Sequence, residues 1–129
     1  MKQGKIVAAY KALHKLMMQD VPLPLARRLF GMVRTFQDAW DFQVQEEQKI
    51  ANRHPDVDPI RMCVQYPSGD KEAEEKLLKE LKSYEDEMTA LMEMDFAVTV
   101  DPLTIHDSEN IKIAGKDIAA LEGIVIFEE

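Results

Sequence analysis

The sequence predicts an α+β domain that is mainly α. The expected plan is a three-helix core opening with a helical hairpin (about residues 5–19 and 24–52), a third helix (about 70–93), and short strands with a short helix near the C-terminus. Three observations predict it. "MMQDVPLPLARRL" sets two prolines between apolar stretches that both carry helical spacing, "EEKLLKELKSYEDEM" repeats leucines at helical intervals, and past Met94 the pattern changes to alternation.

From Lys5 to about Gln19, Ile6, Ala9, Tyr10, Leu13, Leu16 and Met17 recur at steps of three and four, with Lys5, Lys11, His14 and Lys15 on the other side. Pro22 has no amide hydrogen and disfavours helical geometry in Val21, so this helix ends near Asp20. Pro24 suits the first turn of the next helix, where its missing donor would have no partner. That helix carries Leu25, Leu29, Met32, Val33, Phe36, Trp40 and Val44 as one stripe. Unbroken to Asn52, it would be about 40 Å long. Gly31 weakens it, and the close approach of a neighbouring helix is the expected reason for a glycine there.

Pro55, Pro59, Pro67 and Gly69 then mark turns, and between them Ile60, Met62, Val64 and Tyr66 alternate with Arg61, Cys63 and Gln65 as one short edge strand. Asp70 stands where it would cap the third helix, followed by Glu72, Glu74 and Glu75 in the first turn. Leu77, Leu81, Tyr84, Met88 and Leu91 form a seam to pack on the second helix, and interleaved Lys and Glu offer three- and four-residue ion-pair spacings. Phe96, Val98 and Val100 alternate as a strand would, Leu103 and Ile105 continue the pattern, "DSEN" makes a turn, and "IKI" is a further strand candidate. "GKDIAALEG" reads as one or two helical turns closed by Gly123 before the apolar "IVIF".

A length of 129 residues fits a single domain spanning 1–129, and with 46% apolar and 31% charged residues the chain can build a core without metal or disulfide. The lone Cys63 fits a reducing compartment. The N-terminus lacks the continuous apolar run of a secretion signal, and no apolar stretch reaches the length of a membrane span, so the expected location is the cytoplasm. A net charge of −8 argues against direct nucleic-acid binding, although Arg27, Arg28 and Arg34 lie close together on the second helix.

No catalytic, cofactor-binding or metal-binding set emerges. His14, His54 and His106 fall in three different elements; His54 with Asp56 and Asp58 is the most metal-like group, yet a solvated loop accounts for it. His106, Asp107 and Ser108 are adjacent in sequence, and a triad needs side chains converging from separate segments. Cys63 has no neighbour placed to activate it and reads as packing, "SYEDEM" reads as a solvated face, and the five glycines form no phosphate cradle. The large aromatics and soft methionines are the candidates for a contact surface: Phe30, Trp40, Phe42, Met92 and Met94.

The order of these pieces resembles a family of small uncharacterised phage and prophage proteins with a domain of unknown function. The likeness runs over nearly the whole chain and rests most on the helix, Leu-Pro break and helix at residues 13 to 29 and on the closing "DIAALEG". It implies a host-cell or virion-associated protein and brings no catalytic residue with it. With that context the expectation is a non-enzymatic protein–protein interaction module, a virion assembly or accessory factor whose partner is another protein or a second copy of itself. The alternative is an acidic inhibitor of a host defence or regulatory protein that imitates nucleic acid, a reading that needs a continuous acidic face rather than acids interspersed with lysine.

Overall fold

The computed structural model describes residues 1–58, 63–64, 71–106, 109 and 111–128, with backbone only at 58, 63 and 64. It is mainly helical with a little β structure. The elements are α1 (Gln3–Met17), α2 (Leu23–Thr35), α3 (Gln37–Arg53), β1 (Val57–Asp58), β2 (Cys63–Val64), α4 (Lys71–Glu93), β3 (Leu103–His106), α5 (Gly115–Ala120) and β4 (Val125–Glu128).

The hairpin forms where the prolines require it. α1 ends at Met17, Pro22 is the cap residue of α2, and Pro24 lies in its first turn. α1 buries Ile6, Ala9, Ala12, Leu13 and Leu16, and α2 answers with Leu25, Leu29, Met32 and Val33. The turn between them is held by Gln19, whose side-chain amide donates to the Lys112 carbonyl and accepts from the Lys112 amide. That use of Lys112 explains why "IKI" is not a strand, since both backbone groups at its centre already have partners.

The second helix is not unbroken from 24 to 52. It divides at Phe36, which has φ −99° and ψ 0°, donates its amide to Val33 three residues back, and accepts from Trp40 as the helix resumes. Thr35 Oγ1 donates to the Gly31 carbonyl at 3.1 Å, a back-bond that bends helices, and Phe36 is completely buried at the bend. Division here lets α2 and α3 both lie against α1. Past the bend the buried face is Ala39, Gln43 and Ile50; Val44 is 48% exposed and Trp40 only half-buried. Steps of four over-rotate a helix of 3.6 residues per turn, so the expected stripe drifts off the core after Phe36.

α4 lays its seam on α3: Tyr84 and Leu91 are buried with Ile50 and Val57, and Phe42, Leu77, Leu81 and Met88 pack around them as a second, smaller core. Its interleaved lysines and glutamates make no ion pair within the helix among the described residues. The strand expected over 60–66 is described only at Cys63–Val64, which pairs antiparallel with Val57–Asp58; the rest of it, the Cys63 side chain, Asp70 and most of "DSEN" lie outside the described residues.

After α4 the backbone bridges at Asp95 to Lys2, and Phe96 donates to the Met1 carbonyl. Phe96, Val98 and Val100 do alternate toward the main core, yet 96–100 forms no strand: its backbone pairing among the described residues stops at Phe96, which bonds Met1 in both directions. β3 pairs instead with β4, in parallel, from Leu103↔Val125 to His106↔Glu128, with α5 as the crossover. Gly123, at φ +79°, turns the chain from α5 into β4, and Leu121, Ile124 and Val125 close the main core.

Gly4 and Gly31 differ in what surrounds them. A Cβ on Gly31 meets nothing within 4 Å, so no helix approaches it, contrary to the expectation; a Cβ on Gly4 would stand 3.2 Å from the Met92 carbonyl oxygen where α1 crosses the end of α4. Gly31→Ala is therefore expected to raise stability by up to about 1 kcal/mol. Gly4→Ala gains the same propensity but crowds a backbone atom, and should fall below Gly31→Ala by roughly 1–3 kcal/mol. Thermal melts of both variants check this; equal gains would contradict the close approach at Gly4.

Candidate functional site

Three surface features of the fold carry polar or aromatic chemistry. The first is at the C-terminal end of α3. His54 follows its last turn and is 7% exposed, with the edge of the Tyr84 ring pattern set at 87° to its own. α4 places Glu80 and Glu87, seven residues apart and so on one face, on either side of it. Glu80 Oε1 lies 2.6 Å from Nδ1, Glu87 Oε2 bonds Nε2, and Arg53 pairs with the other Glu87 oxygen at 2.9 Å. An imidazole with a carboxylate at each nitrogen donates from both, which is the protonated form. Burial pulls the His54 pKa down, but the hydrogen bonds and charges of Glu87 and Glu80 outweigh it and the value is raised. The same bond from His54, with Arg53, lowers Glu87. Burial, with the Glu47 charge, raises the Tyr84 phenol.

This clamp ties the C-terminal end of α3 to the middle of α4. With both nitrogens engaged and little of the ring reachable, His54 has no free atom to act as base or nucleophile. Its ring nitrogens are taken by the α4 glutamates, and among the described residues no group of three or more His, Cys, Asp or Glu side chains could hold a metal ion. His106 sits elsewhere: its amide donates to Glu109 Oε1, and its Nδ1 is 3.8 Å from Glu128; Asp107 and Ser108 lie outside the described residues. Glu109 is lowered chiefly by that amide, and Arg28 lies 2.9 Å from its other oxygen.

The second feature is the outer face of α2. Leu23, Arg27, Phe30 and Arg34 follow at steps of four, three and four, and all are exposed; Leu23 is 81% and Phe30 53% exposed. The Arg34 guanidinium lies 5.8 Å from the Phe30 ring centre. The third is where α1 meets the start of α3. Tyr10 stacks on Trp40 at 4.5 Å and 10°, His14 stacks more loosely on Tyr10, and Lys11 and Lys15 complete the rim of a concavity.

The five residues singled out from sequence are not brought together. Phe30 and Met94 are exposed, Trp40 is half-buried in the aromatic stack, and Phe42 packs into the smaller core with its ring 6.2 Å from Phe96. Met92 lies half-buried against Gly4, its sulfur 3.8 Å from the Gln43 amide. Phe42 and Met92 thus serve packing. Leu23 escaped notice because its neighbour Leu25 carries the stripe, and the partners of His54 because they are distant in sequence. No family model, curated protein or solved structure matches this chain.

The clamp makes stability depend on pH with a definite sign. The raised His54 value contributes stability that is full below the ordinary imidazole value of 6.5 and is lost as pH rises through the raised one. The lowered Glu87 value contributes above 4.5 and is lost as pH falls through the lowered one. The melting-temperature gap between the wild type and His54→Gln should therefore be widest between those values and narrow toward alkaline pH. Melts across that range check it, and a gap that widens with rising pH would contradict it.

Proposed function

We propose that the chain is a non-enzymatic protein–protein interaction module that meets its partner through the outer face of α2. The observation that carries this is the stripe of Leu23, Arg27, Phe30 and Arg34, two large exposed apolar side chains set between arginines. Aromatic and arginine side chains dominate the energetics of protein interfaces, whereas exposed leucine and phenylalanine on an isolated helix face gain nothing from water. Residues 1–37 hold seven lysines and arginines (Lys2, Lys5, Lys11, Lys15, Arg27, Arg28 and Arg34) and the single acid Asp20. The surface that fits such a stripe has an apolar hollow with an acidic rim.

A second copy of the chain is the first partner to consider, because every acidic residue except Asp20 lies beyond position 37. The resemblance to phage and prophage proteins supplies the setting we propose, an assembly or accessory factor in the host cytoplasm or on the virion. Among the described residues no helix is long and apolar enough to cross a membrane. The nucleic-acid-mimic reading has less support, since exposed lysines 71, 76, 79 and 82 interrupt the acids of α4.

Light scattering over a concentration series tests the reading. The wild type should gain mass with concentration and lose the gain in high salt, and Leu23→Ser with Phe30→Ser should remain monomeric with an unchanged melting temperature. A wild type that stays monomeric at the highest concentration in low salt contradicts self-association through α2, and equal partner binding by the double variant contradicts the α2 face altogether.

A further inference from the structure

We propose that the concavity between α1 and α3 binds a nucleoside phosphate, its base against the Tyr10–Trp40 stack and its phosphate on Lys11, His14 and Lys15. The concavity measures about 390 Å³, within the roughly 300–1,000 Å³ range of small-ligand pockets, and is lined by these five residues among those described. Tyr10 and Trp40 stack directly on one another, centroids 4.5 Å apart and 10° between planes, so they present a single aromatic platform with no gap between the rings. The stack is held in place from behind, because the Tyr10 hydroxyl donates to Gln37 Oε1 at 3.2 Å. Trp40 is half-buried, so part of the platform faces the opening.

Packing of α1 on α3 accounts for the stacked rings. It does not account for the rim. Lys11, His14 and Lys15 lie within four residues of one another on α1 and all line the hollow, and among the described residues no carboxylate lines it. Lys11 lies over the Trp40 ring at 5.9 Å and pairs with no carboxylate among the described residues; Lys15 is held only loosely, 3.6 Å from Asp117. In a chain of net charge −8, residues 1–19 contain no acid, and the three basic side chains of the rim all come from that segment. Stacking is indifferent to base identity, whereas cations at the rim require the negative group, and the two together select a planar ring that carries a phosphate. A volume of this size holds one nucleotide.

Trp40 is the single tryptophan of the chain, which makes its fluorescence a direct readout of the site. Adenosine monophosphate, with excitation beyond its own absorption, should quench Trp40 emission to saturation. Adenosine, ribose phosphate and inorganic phosphate, each lacking one half of the recognised group, should bind at least about tenfold more weakly. Lys11→Gln with Lys15→Gln, both exposed positions, should weaken the nucleotide by a similar factor while melting as the wild type does. A short oligoadenylate that binds no tighter than the monomer marks a free nucleotide as the source, and a tighter one marks an unpaired strand; either result keeps the shared chemistry. Absence of saturable quenching at millimolar nucleotide, binding unchanged in the double variant, or inorganic phosphate binding as well as the nucleotide would overturn the proposal.

Discussion

A helix that is apolar over much of its circumference must find cover on more than one side, and α1 finds it on four. Ile6, Ala9 and Leu13 are fully buried and Ala12 and Leu16 nearly so, with α2, α3, α4 and α5 all in contact with the helix. Alanine at 9 and 12 and glycine at 4 remove the side-chain bulk that would hold those neighbours away. The bend at Phe36 follows from the same demand, since a straight rod lies along a neighbour in one direction whereas two short helices can wrap it. Even the polar contacts answer to it. Gln3 on α1 is fully buried and donates to the Ala39 carbonyl and to Gln43 Oε1, so the α1–α3 contact is fixed by a hydrogen bond as well as by packing.

The hairpin, its proline turn, the seam of α4 and the closing turn at Gly123 were legible in the sequence because each depends on local chemistry: a missing amide, a spacing of three and four, a positive φ. What was not legible depends on partners far along the chain. Gln43 is buried because Gln3 reaches it from forty residues away, and no hydrophobic pattern announces a buried glutamine. The break at Phe36 has no proline to mark it, only Thr35 bonding back to Gly31. "IKI" has the alternation of a strand, yet Gln19 holds Lys112 from ninety-three residues away. The same holds for the sites: Phe30 was visible as an aromatic off the stripe, whereas the Glu80 and Glu87 clamp on His54 needed the α3–α4 packing to be known.

Function follows from what this arrangement leaves at the surface. Covering the apolar side of α1 leaves its lysines facing outward, and along the sequence every acid but Asp20 lies beyond position 37. The arginine and apolar face of α2 and the aromatic and lysine hollow beside α1 both draw their cations from the first 37 residues, one extended and one concave. The His54 clamp lies elsewhere, where it fastens the end of α3 to α4. Interaction rather than catalysis is the use we propose for such a surface.

The account stands or falls on α1 as the rod around which the other elements are ordered. Native-state hydrogen exchange followed amide by amide measures this most directly. The amides of Ala9 to Leu16 should be among the slowest in the molecule and exchange only through global unfolding, with α4 opening sooner at its exposed N-terminal turns. If α1 instead exchanged faster than α4, the four-sided burial would not be what holds the fold, and the surfaces read from it would lose their foundation.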